Sequence, residues 1–198
     1  VAHNSRRRGS LWSLIGVLAL AAAIVLGWMV WTGGSPGDAE EDATTAPPAE
    51  EVPSRPADAF ALTVNYVFDG DTIEATMVAP NDIVTTSNPI RIRLIGIDTP
   101  EGTPTPECWA DEARAHLSEL LPEGATVWAA PDSDTWDDYR RRLFNLWTDD
   151  GRFVNHELVV AGDAEAIRVW PNVRYYDLLS DAQRQAEASG VGQWGACG

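Results

Sequence analysis

The chain has no lysine. All 14 of its basic residues are arginine, set against 30 acidic residues, so the formal net charge is −16 over 198 residues. Every positive side chain is therefore a planar, permanently ionised guanidinium. The shortage of positive charge argues against loose, salt-driven attachment to nucleic acid, because an acidic surface repels phosphates. Cysteine and histidine are also scarce. Cys108 and Cys197 lack zinc-type spacing, and only His116 and His156 accompany them in the folded part, which argues against a zinc site.

Charge is missing altogether from Leu11 to Trp31, a run rich in Leu, Ala, Val and Ile. As a helix its 21 residues would span roughly 31 Å, enough to cross the hydrocarbon layer. Trp12, Trp28 and Trp31 sit near its ends, where interfacial aromatics belong, and Arg6, Arg7 and Arg8 precede it. Residues 1–10 are thus expected to be a basic cytoplasmic tail, 11–31 a single transmembrane anchor, and the rest extracellular. The alternative is a signal peptide, which on cleavage would leave a secreted protein. Large apolar residues are then nearly absent from Thr32 to Ala59, which is rich in Pro, Ala and acid. Such a segment buries too little surface to offset its ordering entropy and is expected to be a disordered linker over 32–59.

Residues 60–198 have the length and apolar content of one domain. Strands are expected at Leu62–Phe68 and Thr72–Val78, with Asp69-Gly70 as the hairpin turn because both residues tolerate positive φ. A third is expected at Ile90–Ile97, where Ile90, Ile92 and Leu94 alternate with Arg91 and Arg93. Thr126–Ala130 and Leu143–Trp147 complete five. Helices are expected at Pro106–Leu121, capped by Thr105, at Asn155–Ala161, ended by Gly162, and at Tyr175–Ser189, ended by Gly190. Five strands with about three helices inserted late indicate an α+β domain built on a small closed barrel of the OB type rather than a βαβ sheet. Most of the nine tryptophans are expected in the core.

Three clusters carry chemistry: Asp69-Gly70-Asp71-Thr72, Arg93 through Asp98-Thr99-Pro100-Glu101, and Asp137-Asp138-Tyr139-Arg140-Arg141-Arg142. Hydrolysis of a phosphodiester needs what they contain. A hard cation held by oxygen ligands withdraws charge from the phosphoryl group. Guanidinium groups grip its equatorial oxygens, and a carboxylate takes a proton from the attacking water. Asp69 reads as a turn residue. Arg140 and Arg142 read equally as phosphate-steering or structural. His116 and His156 read as surface or packing residues.

The ordered motifs DGDT, R-x-x-x-x-D-T-P-E, D-x-Y-x-R and, at Val154 to Gly162, VN-x-x-LV-x-x-G resemble the staphylococcal nuclease family, over about Val64 to Trp194. The resemblance implies a calcium-dependent nuclease acting on DNA and/or RNA and leaving 3′-phosphate ends. It implies calcium ligands in the Asp71 and Asp98 carboxylates and the Thr99 carbonyl, and Glu101 as general base. Arg93 and Arg141 become the phosphate-binding arginines, and Tyr139 lies against the nucleotide. This sequence departs from the family where Arg140 replaces a usual Gly and Asp138 a basic residue. Arg168 and Trp170 stand where tyrosines are found; Trp170 retains a stacking surface and Arg168 a phosphate-binding one. Arg93, Arg168 and the run of arginines at 140–142 supply a local positive site within an acidic surface, supplemented by the cation. A non-catalytic module of the same fold is the alternative, although none of the six residues, Asp71, Arg93, Asp98, Thr99, Glu101 and Arg141, is missing. No obligate protein partner is implied, and a monomer is expected.

The cysteines remain. Outside the cytoplasm disulfides persist, and a thiol two positions from the chain end has little reason to enter a core. Cys108 and Cys197 are therefore expected to pair; the alternative is two unrelated core residues.

Overall fold

The computed structural model describes residues 51–198. The expected transmembrane segment 11–31 and most of the expected linker lie outside these residues. Among the described residues no helix is long and apolar enough to cross a membrane.

The barrel strands are β1 (Phe60–Val67), β2 (Thr72–Met77), β3 (Ile90–Leu94), β5 (Thr126–Ala130) and β6 (Arg142–Thr148). They close in the order β1-β2-β3-β6-β5, with β5 returning to β1. Only the β3–β6 pairing is parallel. A separate pair is formed by β4 (Ile97–Asp98) and β7 (Glu165–Ala166), and the helices are α1 (Ala110–Leu120), α2 (Val154–Val160), α3 (Tyr176–Ser189) and the single turn α4 (Gln193–Ala196). The α+β class, the five-stranded barrel and its three principal helices are those expected.

Alternation fills the barrel. Leu62 and Val64, Ile73 and Ala75, Ile92 and Leu94, Val127 and Ala129, and Phe144 and Leu146 all point inward and are buried. Each large aliphatic side chain removed from water in this way contributes about 1.5–3 kcal/mol. One buried polar side chain links the barrel to α2: Asn155, at the start of that helix, accepts the Leu146 N–H at 3.0 Å and donates to the Ile95 carbonyl at 2.8 Å. It ties β6 to the segment that follows β3.

Four expectations need correction. The third strand stops at Leu94 rather than Ile97, because Gly96 takes φ +76° and turns the chain out of the barrel before β4. The first helix begins at Ala110, not Pro106, with Trp109 left-handed at φ +75° instead of a Thr105 cap. Residues 107–109 are engaged elsewhere. Glu107 clasps Glu101 through paired 2.9 Å hydrogen bonds, Cys108 is bonded to Cys197, and Trp109 Nε1 donates to Asp163 at 2.7 Å. The tryptophans are not mainly core: of those described, only Trp147 is fully buried, stacked on Phe153 at 4.8 Å, while Trp136 and Trp170 are exposed. Finally, the end of the segment read as linker is seated on the barrel. The Pro53 carbonyl accepts from Trp147 Nε1 at 3.1 Å, and the Arg55 guanidinium lies 4.1 Å over Trp128.

Candidate active site

The β1–β2 connection is not the turn the Asp-Gly pair suggests. Neither Asp69 nor Gly70 has positive φ. Asp69 Oδ1 accepts the Asp71 N–H at 3.1 Å, a local Asx contact that shapes the loop. Gly70 is required by close approach: a Cβ there would lie 2.8 Å from the Thr99 side chain and 2.9 Å from Ala113 Cβ. The missing side chain lets the Asp98-Thr99 segment, nearly thirty residues on, pack against the hairpin.

That contact delivers Asp71 to Thr99. Asp71 is 4% exposed. Its Oδ2 accepts the Thr99 N–H at 3.0 Å and the Thr99 hydroxyl at 3.1 Å, and its Oδ1 accepts the Thr72 hydroxyl at 3.0 Å. Arg93, on β3 opposite Thr72, brings Nε to Asp71 Oδ1 at 2.9 Å and an Nη2 to Asp98 Oδ1 at 2.5 Å. Its Nη1 donates to the carbonyls of Leu94 at 2.9 Å and Ile97 at 2.6 Å. One guanidinium thus bridges two carboxylates and fastens the β3–β4 bend. Burial is the largest influence on Asp71 and pushes it up to about 7, against the opposing pull of Arg93 and with a further push from Asp69.

Glu101 follows on an exposed loop, its N–H held by Glu107. Its carboxyl is raised above the usual range, first by desolvation and then by the charges of Asp69 and Asp98. Arg141 is placed by Asp137, whose Oδ1 accepts the Tyr139 and Arg141 N–H groups at 3.0 and 2.7 Å and whose Oδ2 pairs with Arg141 Nε at 2.6 Å. Burial acts to raise Asp137, but these hydrogen bonds outweigh it and hold the group below its ordinary value. Asp137 is part of the D-x-Y-x-R motif, yet its organising role was not legible in it. The same holds for Gly70 and Asn155; the signal was their presence in the matched motifs.

Arg141 is shared by two clefts. One, of about 290 Å³, is also lined by Phe68, Asp69, Arg91, Glu101 and Thr103. The other, of about 200 Å³, is lined by Arg93, Leu143, Tyr139, Ile167 and Val169. Tyr139 beside it is 81% exposed and Trp170, past Val169, 80% exposed. Arg168 is turned onto Tyr176, 5.4 Å from its ring. Arg140, where the family usually has Gly, takes the left-handed φ of +64° that glycine accommodates without strain. Arg142 is structural: it is buried on β6, donates to the Ile83 carbonyl at 2.6 Å and stacks 3.9 Å from the centroid of Trp136. Both histidines stand away from these clefts, and His116 Nδ1 meets Asp163 at 2.5 Å.

No cluster of three or more His, Cys, Asp or Glu side chains suited to a metal occurs among the described residues. The donors at Asp71, Asp98 and Thr99 are all hard oxygens, and Asp71 is a buried acid crowded by Asp69. Oxygen donors of this type, with water completing the shell, fit a hard divalent cation, which would share Asp71 and Asp98 with Arg93.

A buried-acid and arginine cluster at the rim of a five-stranded barrel defines a nuclease-type OB domain. The chain belongs to the staphylococcal nuclease family: the family model described as "Staphylococcal nuclease homologue" matches residues 91–196. It is 31% identical over 157 residues to "Endonuclease YhcR" of Bacillus subtilis (strain 168), covering 73% of this chain. It spans only 12% of that relative's length. It is also 31% identical over 133 residues to "Thermonuclease" of Staphylococcus intermedius, covering 66% of this chain and 74% of that one.

Proposed function

We propose that this chain is a calcium-dependent endonuclease that hydrolyses phosphodiester bonds of DNA and/or RNA and leaves 3′-phosphate ends. The observation that carries the reading is the single guanidinium of Arg93 joining Asp71 and Asp98, with Arg141 opening onto clefts that contain Arg93 on one side and Glu101 on the other. The two relatives named as nucleases support it.

In this reading the Asp71 and Asp98 carboxylates and the Thr99 carbonyl hold calcium, which when bound supplies charge withdrawal at a phosphoryl oxygen. Arg93 and Arg141 grip the equatorial oxygens and stabilise their charge in the transition state. Glu101 takes a proton from the attacking water onto its carboxylate, a task its raised pKa suits. Tyr139 and Trp170 offer exposed rings to bases; Arg140, next to Tyr139, would meet a flanking phosphate, whereas Arg168 would have to leave the Tyr176 ring to do so. The domain works outside the cytoplasm, held at the membrane by residues 11–31 or released if they are cleaved.

The test is cleavage of single- and double-stranded DNA and of RNA by the purified chain, with calcium and with excess chelator. Activity that chelator abolishes and calcium restores is expected, with 3′-phosphate products. Undiminished cleavage in chelator would reject the metal mechanism, and no cleavage under any condition would reject the enzyme.

A further inference from the structure

The cleft that Arg141 shares with Phe68 and Arg91, and not with Tyr139, leads to a second set of aromatic and arginine side chains on the barrel. Along β1 the residues Leu62 and Val64 face the core, so strict alternation would also send Tyr66 inward. It does not. The β1–β2 register slips between Val64 and Tyr66, a bulge that adds one residue, after which Val67 is the buried one. Tyr66 and Phe68 are thereby turned outward, and Tyr66 is left 41% exposed. Bulges commonly re-aim side chains in this way beside active sites.

The two rings meet edge to face at 5.0 Å between centroids. An arginine stands at each end of the pair. The Arg91 guanidinium lies 4.0 Å from the centroid of Phe68, and that of Arg114, on α1, lies 5.6 Å from the centroid of Tyr66 and donates to its hydroxyl at 3.1 Å. Neither arginine has a carboxylate within ion-pair distance among the described residues, although acids outnumber basic residues in the chain. The row begins inside the catalytic cleft, since Phe68 and Arg91 line the same space as Glu101 and Arg141. It then leaves the cleft through Tyr66 and ends at Arg114.

We propose that Arg91, Phe68, Tyr66 and Arg114 form a binding track for single-stranded polynucleotide, taking the nucleotides on the side of the scissile phosphate opposite to those that reach Tyr139. Rings that accept any base, spaced by permanent cations that accept phosphate, are the elements by which proteins hold single strands without reading sequence. Being continuous with the cleft, the track acts on the strand being cut. It rests on the nuclease reading for its role but not for its chemistry, since binding can be measured alone.

The experiment uses the full chain and its variants Tyr66→Ala, Tyr66→Phe and Arg114→Gln. Affinity for a fluorescein-labelled single-stranded 12-mer is read by anisotropy in chelator. Cleavage is read with calcium on the same oligomer and on a minimal nitrophenyl nucleotide ester that extends little beyond the scissile phosphate. Tyr66→Ala is expected to weaken oligomer binding roughly 5- to 100-fold, the range for loss of one stacking contact. Tyr66→Phe should keep most of the affinity, and Arg114→Gln should lower the salt dependence of binding. KM for the oligomer should rise with little change on the minimal ester. Wild-type cleavage together with unchanged oligomer affinity in Tyr66→Ala and Arg114→Gln would overturn the track and leave the nuclease standing. Binding that weakens in the variants, without cleavage by the wild type, would support the track and remove the nuclease. If Tyr66→Ala does not fold, as judged by its circular dichroism, Arg114→Gln decides.

Discussion

Arg93 Nε lies 2.9 Å from Asp71 Oδ1, so the group proposed to bind phosphate is held by a group proposed to bind calcium. The cation and the guanidinium therefore compete for one carboxylate. Replacing Arg93 by Gln is expected to tighten calcium binding on the order of tenfold, the effect of removing a unit charge about 4 Å away in a high dielectric. Isothermal titration with calcium alone measures this at a pH well above 7, where Asp71 is ionised in both proteins, because Arg93 also holds the Asp71 carboxyl down. Equal or weaker affinity in Arg93→Gln would show that calcium binds somewhere other than at Asp71.

Burial lifts Asp71 to about 7 from its ordinary 3.8, despite Arg93. A carboxyl raised on folding stabilises the protein most below its unfolded value, and that contribution is lost as pH rises through the folded value. The melting temperature of the calcium-free protein, compared with that of Asp71→Asn, is thus expected to fall from about pH 4 to about pH 7. Calcium affinity should climb over the same interval as the carboxylate ionises. A flat difference in melting temperature across that interval would show that Asp71 is ionised throughout.

Lysine at 93 or 141 keeps the charge and loses the planar fork. Each change should lower kcat by roughly 10²–10³, as for loss of one transition-state donor. Stability separates them. Arg93 also holds the Leu94 and Ile97 carbonyls, so Arg93→Lys should cost about 1–3 kcal/mol. The Arg141 side chain is held only at the surface, by Asp137 and beside the exposed Tyr139 ring, and Arg141→Lys should leave the melting point nearly unchanged. Near-normal turnover in either variant would mean that its arginine is misassigned.

Arg140 holds a left-handed conformation at φ +64° with a side chain that disfavours it. Arg140→Gly should relieve about 1–2 kcal/mol of strain, offset by roughly 0.4–1 kcal/mol of added freedom in the unfolded chain. Denaturant melts should therefore show a modest gain in stability, while a rise in KM for nucleic acid would record the lost positive charge. A destabilised variant would mean that the arginine side chain makes up for its backbone.

Cys108 and Cys197 are bonded, with Cα atoms 5.8 Å apart and 89 residues of separation. In the chain-entropy model a loop of that length stabilises by about 4–5 kcal/mol. Protein made under oxidising conditions should show no free thiol, and the Cys108→Ser/Cys197→Ser variant should melt lower with its turnover rate preserved. Two thiols that titrate freely would remove the disulfide.

The sequence by itself determined what depends on neighbours along the chain. Alternation at Ile90, Ile92 and Leu94 fixed which face of β3 is core and left Arg93 on the other, and the Gly162 and Gly190 stops bounded α2 and α3 within a residue. The motif order put Asp71, Arg93, Asp98 and Arg141 in one family pattern, and the structure brings the first three into direct contact. Contacts between distant segments decided the rest. Helix α1 starts late because Glu107, Cys108 and Trp109 are claimed by Glu101, Cys197 and Asp163. Gly70 is a glycine because Thr99 needs the space, not because a turn needs positive φ. The slip after Val64 turned Tyr66 to the surface against its own periodicity. Local propensity is worth tenths of a kcal/mol per residue, whereas packing and buried hydrogen bonds are worth whole ones, so where the two disagreed the tertiary contact prevailed.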